Sequence, residues 1–242
     1  MDLTYTPAQK AFRAKVREWL QDNVPKQRLK SYDTREGFEQ HREWEAKLAA
    51  AGYSAVTWPK ELGGCGCDLN EWLIFEEEYW AADAPARVNQ NGILLLGSTL
   101  MEFGTPEQKA RFLPRMARCD DMWAQGWSEP NAGSDMAAIS SRAIRHGDKF
   151  ILNGQKIWST RAIFADWLFG LFRSDPASSR HHGLSYILVP LNTPGITVRP
   201  IKGINGQEVF AEIFFDDVEV PAENLLGDEG KGWHVAMATA GF

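Results

Sequence analysis

The stretch Trp127-Ser128-Glu129-Pro130-Asn131-Ala132-Gly133-Ser134-Asp135 carries the most information about this chain, together with Gly154-Gln155-Lys156-Ile157-Trp158-Ser159-Thr160. The first stretch combines a proline turn, an Ala-Gly pair and serine hydroxyls, a composition that lets backbone N–H groups approach phosphate oxygens closely. The second places Trp158 and Thr160 two residues apart, so that in a strand both side chains lie on one face. One ligand with phosphates at one end and a flat redox-active ring at the other would use both stretches. Together they predict a flavin-binding β region.

Composition limits the class of protein that carries these stretches. The chain has 242 residues, of which 44% are hydrophobic and 24% charged. It is therefore an ordinary globular chain, long enough for a sizeable core and for one or two domains. Its net charge is −6 and its Lys and Arg residues are scattered. This argues against nucleic acid as the principal partner, because a surface that binds phosphate backbones needs clustered cations.

Cysteine usage and hydropathy indicate the compartment. The chain has an odd number of cysteines, Cys65, Cys67 and Cys119, and its N-terminus does not resemble a secretion signal. A reducing compartment is expected, which is the cytoplasm of a bacterium or the mitochondrial matrix of a eukaryote. The longest apolar stretch, around residues 93–96, is far short of the roughly 20 residues that span a bilayer. It predicts a buried helix and no membrane span.

Up to about Asp120 the apolar spacing is helical. Thr6-Pro7-Ala8-Gln9 predicts a helix start, with Thr as the cap, Pro at the first helical position and Gln reaching back to the cap. The pattern recurs at Thr105-Pro106-Glu107-Gln108, and Asp68-Leu69-Asn70-Glu71 opens a further helix. Apolar side chains follow at helical spacing, as in Phe12, Val16, Trp19 and Leu20, and in His41, Trp44, Leu48 and Ala51 before Gly52. We predict an all-helical N-terminal domain over residues 1–120.

After Asp120 the apolar residues form short runs between turn residues. The runs cover residues 122–127, 140–145, 150–152, 167–172, 186–189, 196–198 and 209–218. Hairpin or loop residues separate them at Gly147-Asp148, Asn153-Gly154 and Thr193-Pro194-Gly195. This pattern predicts an antiparallel β-barrel or sandwich over residues 121–229, and hence an α+β fold.

From residue 230 the sequence turns helical again. Trp233, Val235 and Met237 give this helix an apolar character, and the sequence suggests that it has no partner of its own to pack against. We therefore expect residues 230–242 to be the start of a C-terminal helical bundle, and the chain to be a fragment of a longer enzyme.

The ordered motifs and the domain layout are similar to those of the acyl-CoA dehydrogenase family along nearly the whole chain. The motifs are Trp58–Gly64, Phe103–Lys109, Ser128–Asp135, Asn153–Trp158, Phe215–Pro221 and Gly230–Trp233. Each motif alone is a weak signal, but a chance match at so many ordered points is implausible.

The resemblance implies an FAD-dependent oxidoreductase of lipid degradation. Such enzymes convert an acyl-CoA thioester to the trans-2-enoyl-CoA, with electron-transfer flavoprotein as the expected acceptor. The full-length protein would be a homo-oligomer, a dimer or a tetramer. The length and branching of the acyl group are not implied.

The resemblance also assigns FAD contacts to Gln125, Trp127, Ser128, Gly133, Ser134, Trp158 and Thr160. Trp127 and Ser128 match the strand end that contacts the pyrimidine edge of the flavin, where donors favour reduction. Gly133 and Ser134 match the turn that binds the FAD pyrophosphate, and Ser134 also faces the CoA moiety of the substrate.

The second motif would contact the ring itself. Trp158 matches the aromatic side chain that packs against the isoalloxazine, and Thr160 matches the hydroxyl bonded near its N5 atom. Ser159, between them, matches a position whose side chain points away from the ring.

The resemblance leaves the catalytic base unassigned. In the family this glutamate lies on the C-terminal helices, so it is expected beyond Phe242. Glu129 and Asp135 match structural positions and are not assigned to this role. The 242-residue chain alone is therefore expected to hold FAD weakly and to have negligible activity.

Two alternatives stay open at this stage. The chain could be a naturally short, non-catalytic partner subunit that binds CoA ligands. It could also belong to a branch with acyl-CoA oxidase or nitroalkane oxidase chemistry, which shares this layout.

Other residue clusters have ordinary structural explanations. Cys65-Gly66-Cys67 and His181-His182 lack the second pair that a zinc site needs, so no metal site is predicted. Glu76-Glu77-Glu78 is expected to be a solvated to semi-buried part of a helix. Arg173 and Arg180 could meet CoA phosphates, but a solvated loop is favoured. No Gly-x-Gly-x-x-Gly follows a strand, so a Rossmann site is not supported.

Overall fold

The computed structural model describes residues 4–241, so residues 1–3 and Phe242 lie outside the described part of the chain. The helices are α1 (Pro7–Asn23), α2 (Arg35–Ala50), α3 (Leu69–Ala81), α4 (Gly97–Phe103), α5 (Pro106–Ala117) and α6 (Gly232–Gly241). The strands are β1 (Trp123–Gly126), β2 (Arg142–His146), β3 (Lys149–Thr160), β4 (Trp167–Arg173), β5 (Leu184–Pro190), β6 (Ile196–Ile201), β7 (Phe210–Pro221) and β8 (Leu225–Leu226). The predicted α+β class is confirmed.

The predicted helix starts are confirmed by their hydrogen bonds. At α1 the Thr6 hydroxyl accepts from the Gln9 N–H at 3.2 Å, and the Gln9 side chain accepts from the Thr6 N–H at 3.0 Å. Thr105 and Gln108 form the same reciprocal pair before α5. Asp68 forms it with Glu71 before α3. Each pair satisfies N–H groups that a helix leaves free at its first turn.

Contacts divide the chain into two compact units. The first, the helical unit, comprises the residues up to Val88 and the short segment Ala117–Cys119. Its core contains large side chains from α1, α2 and α3, with the Trp44 indole N–H donating to the Tyr79 hydroxyl at 2.6 Å. Glu45 is fully buried, where it accepts from the Arg87 guanidinium at 2.8 Å and from the Val88 N–H at 2.7 Å.

The second unit, the sheet unit, contains residues 89–116 and 120 onward, so it includes α4 and most of α5 as well as the strands. The Gln108 side chain on α5 donates to the carbonyls of Glu223 and Leu225, at 2.8 Å each. The predicted apolar stretch at 93–96 lies in the π-helical turn Asn91–Leu96 that leads into α4, and its Leu94 is 51% exposed. No helix among residues 4–241 combines the length and apolarity needed to cross a bilayer.

The sheet is mixed and mostly antiparallel. Its strand order is β6-β7-β3-β2-β4-β5-β8, and β1 pairs with β4 off this path. The sequence predicts antiparallel pairing throughout, but β1 and β4 are parallel, with Trp123 opposite Trp167. These strands are far enough apart in the sequence for a connection that returns the chain to the same end of the sheet.

The predicted turn at Asn153-Gly154 is wrong. Strand β3 runs through these residues, and a bulge between Leu152 and Gly154 shifts its register against β7. Gly154 has a φ of +141° and Asn153 exchanges two hydrogen bonds with Asp217. Bulges and hairpin turns both require unusual backbone angles, so an Asn-Gly pair suits either. The predicted hairpin at Gly147, between β2 and β3, is confirmed.

The expectation that the last helix has nothing to pack against is also wrong. Val235 and Ala236 of α6 are buried, and the helix contacts β4, β5 and α4. The Thr239 hydroxyl lies 2.9 Å from the Thr99 hydroxyl on α4. Helix α6 is thus an integral part of the sheet unit.

The Gly154 bulge is expected to be specific for glycine. Gly154→Ala should lower the free energy of unfolding by about 2 kcal/mol or more, because its φ suits only glycine and overpacking is costly. A Cβ atom at this position would lie 2.3 Å from the Ser141 Oγ and 2.7 Å from the Ser141 Cα. Urea unfolding followed by circular dichroism measures the loss.

Gly147→Ala is the matched control. Gly147 also has a positive φ, of +63°, but a Cβ atom there would have no neighbour within 4 Å. Gly147→Ala should lower the free energy of unfolding by only about 1 kcal/mol, because only backbone strain is added. Equal losses in the two variants would show that the close approach to Ser141 does not matter.

Candidate functional site

The loop after β1 begins with a tight turn at residues 129–132, and the residues that follow the turn are exposed to solvent. Glu129 and Ala132 exchange backbone hydrogen bonds of 2.9 and 3.0 Å across Pro130-Asn131. Ala132 is buried, whereas Gly133 and Ser134 are exposed. A Cβ atom on Gly133 would have no neighbour within 4 Å, so the backbone here is open to a ligand.

The end of β3 presents alternate side chains outward and inward. Trp158 is 57% exposed and Thr160 is half-buried, while Ser159 between them is buried. The register against β7 shifts between Lys156 and Ser159, and Trp158 has a φ of +61°. A positive φ is rare for a bulky residue, and such strain is concentrated at functional sites.

The structure brings the two stretches of sequence together. The Ile157 N–H donates to the Ser128 carbonyl at 2.9 Å. The Lys156 ammonium is 2.7 Å from a Glu129 carboxylate oxygen and also donates to the carbonyls of Leu171 at 2.5 Å and Trp127 at 3.4 Å. One buried cation therefore connects β3, β4 and the loop after β1.

The Glu129 carboxylate is fully engaged. One oxygen accepts from the Ser140 N–H at 2.7 Å and from the Ser140 hydroxyl at 2.9 Å, and the other accepts from the Ser141 N–H at 3.0 Å and from Lys156. Burial alone would raise the pKa of Glu129, but the charge of Lys156 and these hydrogen bonds outweigh it and lower the pKa. Its stabilising ionised form is present at neutral pH and is lost only as the pH falls through this lowered pKa.

Lys156 is completely buried. Burial lowers its pKa to about 8, although the Glu129 charge acts in the opposite direction. Both partners are therefore charged at neutral pH. Both oxygens of Glu129 already accept two hydrogen bonds each. Asp135 is exposed and pairs with Arg180 at 2.9 Å.

The polar groups of the predicted site residues are largely free. Within residues 4–241, the hydroxyls of Ser128, Ser134 and Thr160 form no hydrogen bond with protein atoms. Gln125 lies on β1, half-buried, opposite Phe169 of β4. These are the groups that a ligand with several hydrogen-bonding atoms would engage.

The Trp127 ring lies against other aromatic rings. Its edge packs against Phe169 and Tyr186, with ring centroids 6.3 and 6.4 Å apart. The indole nitrogen is buried without a hydrogen-bond partner in the described part of the chain. The contact of Trp127 with a flavin stays a prediction.

Sequence reasoning missed the residues that support this site. Lys156 is not among the predicted site residues, and Arg173 is predicted to lie in a solvated loop. In fact the Arg173 guanidinium donates to the carbonyls of Ile139, Ala137, His182 and Arg180 at 2.8–3.3 Å. It organises the loop between β4 and β5 and is not a free cation. The sequence carries little signal for a buried Lys156, because the polar or small residues Asn153, Gly154 and Gln155 directly precede it.

No group of three or more His, Cys, Asp or Glu side chains in the described residues is arranged to hold a metal ion. Cys65 and Cys67 are free thiols, and burial raises the pKa of Cys67. His181 packs its ring against Trp233, with centroids 4.4 Å apart.

Comparison with known proteins shows the family of this chain. Residues 6–120 match the model of the acyl-CoA dehydrogenase N-terminal domain, and residues 124–218 match that of the middle domain. The chain belongs to the acyl-CoA dehydrogenase family. The chain is 47% identical over 237 residues to the acyl-CoA dehydrogenase IpdE1 of Mycobacterium tuberculosis, a match that covers 96% of the chain and 62% of IpdE1.

Solved structures of the family have the same fold. The Tcur3481-Tcur3483 steroid ACAD superposes with a TM-score of 0.86 at 32% identity, over 99% of this chain and 62% of that one. The ChsE4-ChsE5 complex from Mycobacterium tuberculosis superposes with a TM-score of 0.81 at 33% identity, over all of this chain and 61% of that one. The chain thus spans about three fifths of the length of these relatives.

The buried ion pair is expected to be essential for stability. Glu129→Gln leaves the Lys156 ammonium buried without a counter-charge, which should lower the free energy of unfolding by about 3–5 kcal/mol. Adding Lys156→Met to this variant removes the orphaned charge and should recover part of the loss. Urea unfolding of the single and double variants measures both effects.

Glu219→Gln on β7 provides the control. Glu219 pairs with Lys149 of the same strand β3 at 2.6 Å, but the two side chains are 62% and 40% exposed. Loss of this exposed ion pair should lower the free energy of unfolding by less than about 1 kcal/mol. If Glu129→Gln were as mild as this control, the buried pair would not be the stabilising link.

Proposed function

We propose that this chain forms one wall of the FAD and acyl-CoA site of an enzyme that dehydrogenates an acyl-CoA thioester to trans-2-enoyl-CoA. The observation that carries the proposal is the joining of the two motifs through Lys156 and Glu129. Beside this ion pair, the indole ring of Trp158 is exposed, and the hydroxyls of Ser128, Ser134 and Thr160 have no hydrogen-bond partner among residues 4–241. Family membership supports the reaction class.

The residues fit the cofactor by size and by chemistry. The open backbone at Gly133 and the free Ser134 hydroxyl would hold the pyrophosphate, since N–H and O–H donors favour anionic oxygens. Ser134 would also contact the CoA part of the substrate. A larger residue at position 133 would put a side chain where the phosphate approaches.

The exposed face of Trp158 would pack against the isoalloxazine ring. The free Thr160 hydroxyl would donate near the ring's N5 atom, and Gln125, the Trp127 backbone and Ser128 would donate at its pyrimidine edge. When bound, FAD supplies a hydride acceptor, which amino-acid side chains do not provide. The donors of this chain would stabilise negative charge at the edge of that ring.

We propose that the catalytic base is not among the described acidic residues of the two motifs. Glu129 is saturated with hydrogen bonds, and Asp135 is paired with Arg180. The base is assigned instead to the part of the longer relatives that lies beyond this chain's match. Electron-transfer flavoprotein is the proposed acceptor, and a homo-oligomer is proposed for the full-length protein.

A second assembly is supported by the comparisons. The ChsE4-ChsE5 complex is an assembly of two different proteins, and the name Tcur3481-Tcur3483 steroid ACAD also pairs two. By this analogy the chain would be one member of a heteromeric dehydrogenase that acts on a steroid-derived acyl-CoA. In this alternative the chain contributes the same proposed FAD contacts, and the remaining residues of the site come from a second, different protein.

Flavin binding is expected to depend on the outward side chains of β3. Trp158→Leu should weaken FAD binding about tenfold, because stacking on an aromatic ring contributes roughly 1 kcal/mol or more. It should also reduce the quenching of flavin fluorescence at saturation. Thr160→Val should weaken binding by a smaller factor, through one lost hydrogen bond.

Ser159→Ala is the matched control for this titration. The Ser159 hydroxyl is buried and unpartnered in the described part of the chain, so its removal should leave FAD affinity and quenching unchanged. If Ser159→Ala weakens binding as much as Trp158→Leu does, the proposed orientation of this strand is wrong.

The chain alone is expected to show negligible turnover. With FAD, a series of acyl-CoA thioesters and an artificial electron acceptor, the rate should stay at the background level because the proposed base is missing. Robust turnover by the 242-residue chain would place a base within it and contradict this assignment. Flavin content after gel filtration serves as the control that separates lost chemistry from lost cofactor.

A further inference from the structure

We propose that the helical unit contains a binding site for a small hydroxylated aromatic monocarboxylate. The site is a cavity of about 580 Å³, which we name the α1–α2 cavity. It is lined by the connection between α1 and α2 (residues 25–33), by His41, by Trp80 and by residues 83–86. A volume of this size suits a ligand with one or two rings.

His41 provides an unused polar atom at this cavity. Its side chain is almost fully buried, at 5% exposure, and Nδ1 lies 2.7 Å from the Gly37 carbonyl oxygen. A carbonyl can only accept, so Nδ1 donates and Nε2 of the neutral ring is an acceptor. Nε2 has no hydrogen-bond partner among residues 4–241. Tyr32 packs edge-on against the ring and holds its orientation. A ligand hydroxyl would satisfy this acceptor.

The free charges of the cavity select a monoanion. Lys26 and Arg28 form no ion pair within the described residues, whereas Lys30 is paired with Glu36 at 2.5 Å. The carboxylate of Asp83 also lines the cavity without a cationic partner there. Counted over all charged lining residues, three cations (Lys26, Arg28 and Lys30) and two carboxylates (Asp33 and Asp83) give a formal charge of +1. That balance favours one carboxylate over a phosphate or a dicarboxylate.

The rest of the lining combines the polar residues Gln27 and Ser31 with apolar and aromatic side chains. Leu29, Ala84 and Pro85 line the cavity, and Trp80 is 59% exposed. An aromatic ring could stack on the indole while its carboxylate meets Lys26 and Arg28 and its hydroxyl meets His41. These three requirements define the ligand class.

The probe for this proposal is 4-hydroxyphenylacetate, titrated into chain labelled with ¹⁵N at the tryptophan indoles. The Trp80 indole signal, assigned with Trp80→Phe, should shift saturably with a dissociation constant on the order of 1 mM. The Trp158 and Trp127 signals should not move, which separates this site from the proposed FAD wall. Phenylacetate, without the hydroxyl, should bind about fivefold more weakly, and 4-hydroxyphenylacetamide, without the charge, about tenfold.

Two pairs of variants test the contacts. The double variant Lys26→Ala and Arg28→Ala should lose at least about tenfold in affinity. Lys15→Ala, which removes an exposed unpaired lysine of α1, should lose none. His41→Asn can keep the bond to Gly37 but lacks an atom at the Nε2 position. His41→Gln places an amide there, so it should bind more tightly than His41→Asn.

Circular dichroism melting confirms that each variant is folded. The proposal is overturned if the Trp80 signal does not saturate, or if the three probes bind equally. It is also overturned if Lys15→Ala weakens binding as much as the double variant does.

Discussion

The Lys156–Glu129 ion pair is the interaction on which the candidate site depends. Its two residues come from the two motifs, and both are removed from solvent. A buried ion pair is stable only if its remaining hydrogen-bonding capacity is also satisfied. Ser140 and Ser141 supply donors to the carboxylate, and the carbonyls of Leu171 and Trp127 accept from the ammonium. The pair therefore fixes β3, β4 and two loops in one arrangement.

The phase of β3 decides which side chains a ligand can meet. Side chains alternate between the two faces of a strand, so a shift of one residue would exchange Ser159 for its neighbours. The two bulges in β3 and the anchoring of Lys156 set this phase. Trp158 and Thr160 are outward for that reason, and the positive φ of Trp158 belongs to the second bulge.

The sequence predicted those features that depend on neighbouring residues. The starts of α1, α3 and α5 and the hairpin at Gly147 were predicted correctly because their hydrogen bonds or backbone angles are local. The turn predicted at Asn153-Gly154 was wrong because pairing with β7 continues the strand there. The packing of α6 was missed because its partners, β5 and α4, are distant in the sequence. Lys156 was overlooked as a supporting residue for the same reason, since its counter-ion lies in the other motif.

The ion pair has a further electrostatic consequence. The first motif contains two acidic side chains close to a loop whose open backbone suits anionic oxygens, and the chain as a whole carries a charge of −6. One of them, Asp135, is paired with Arg180 at 2.9 Å, and the other is Glu129. An uncompensated carboxylate in that position would repel an anion. Because the Lys156 ammonium lies 2.7 Å away, Glu129 adds a dipole and no net charge to its surroundings. The peptide N–H groups of the loop can then determine the local potential, although the protein as a whole carries a net negative charge.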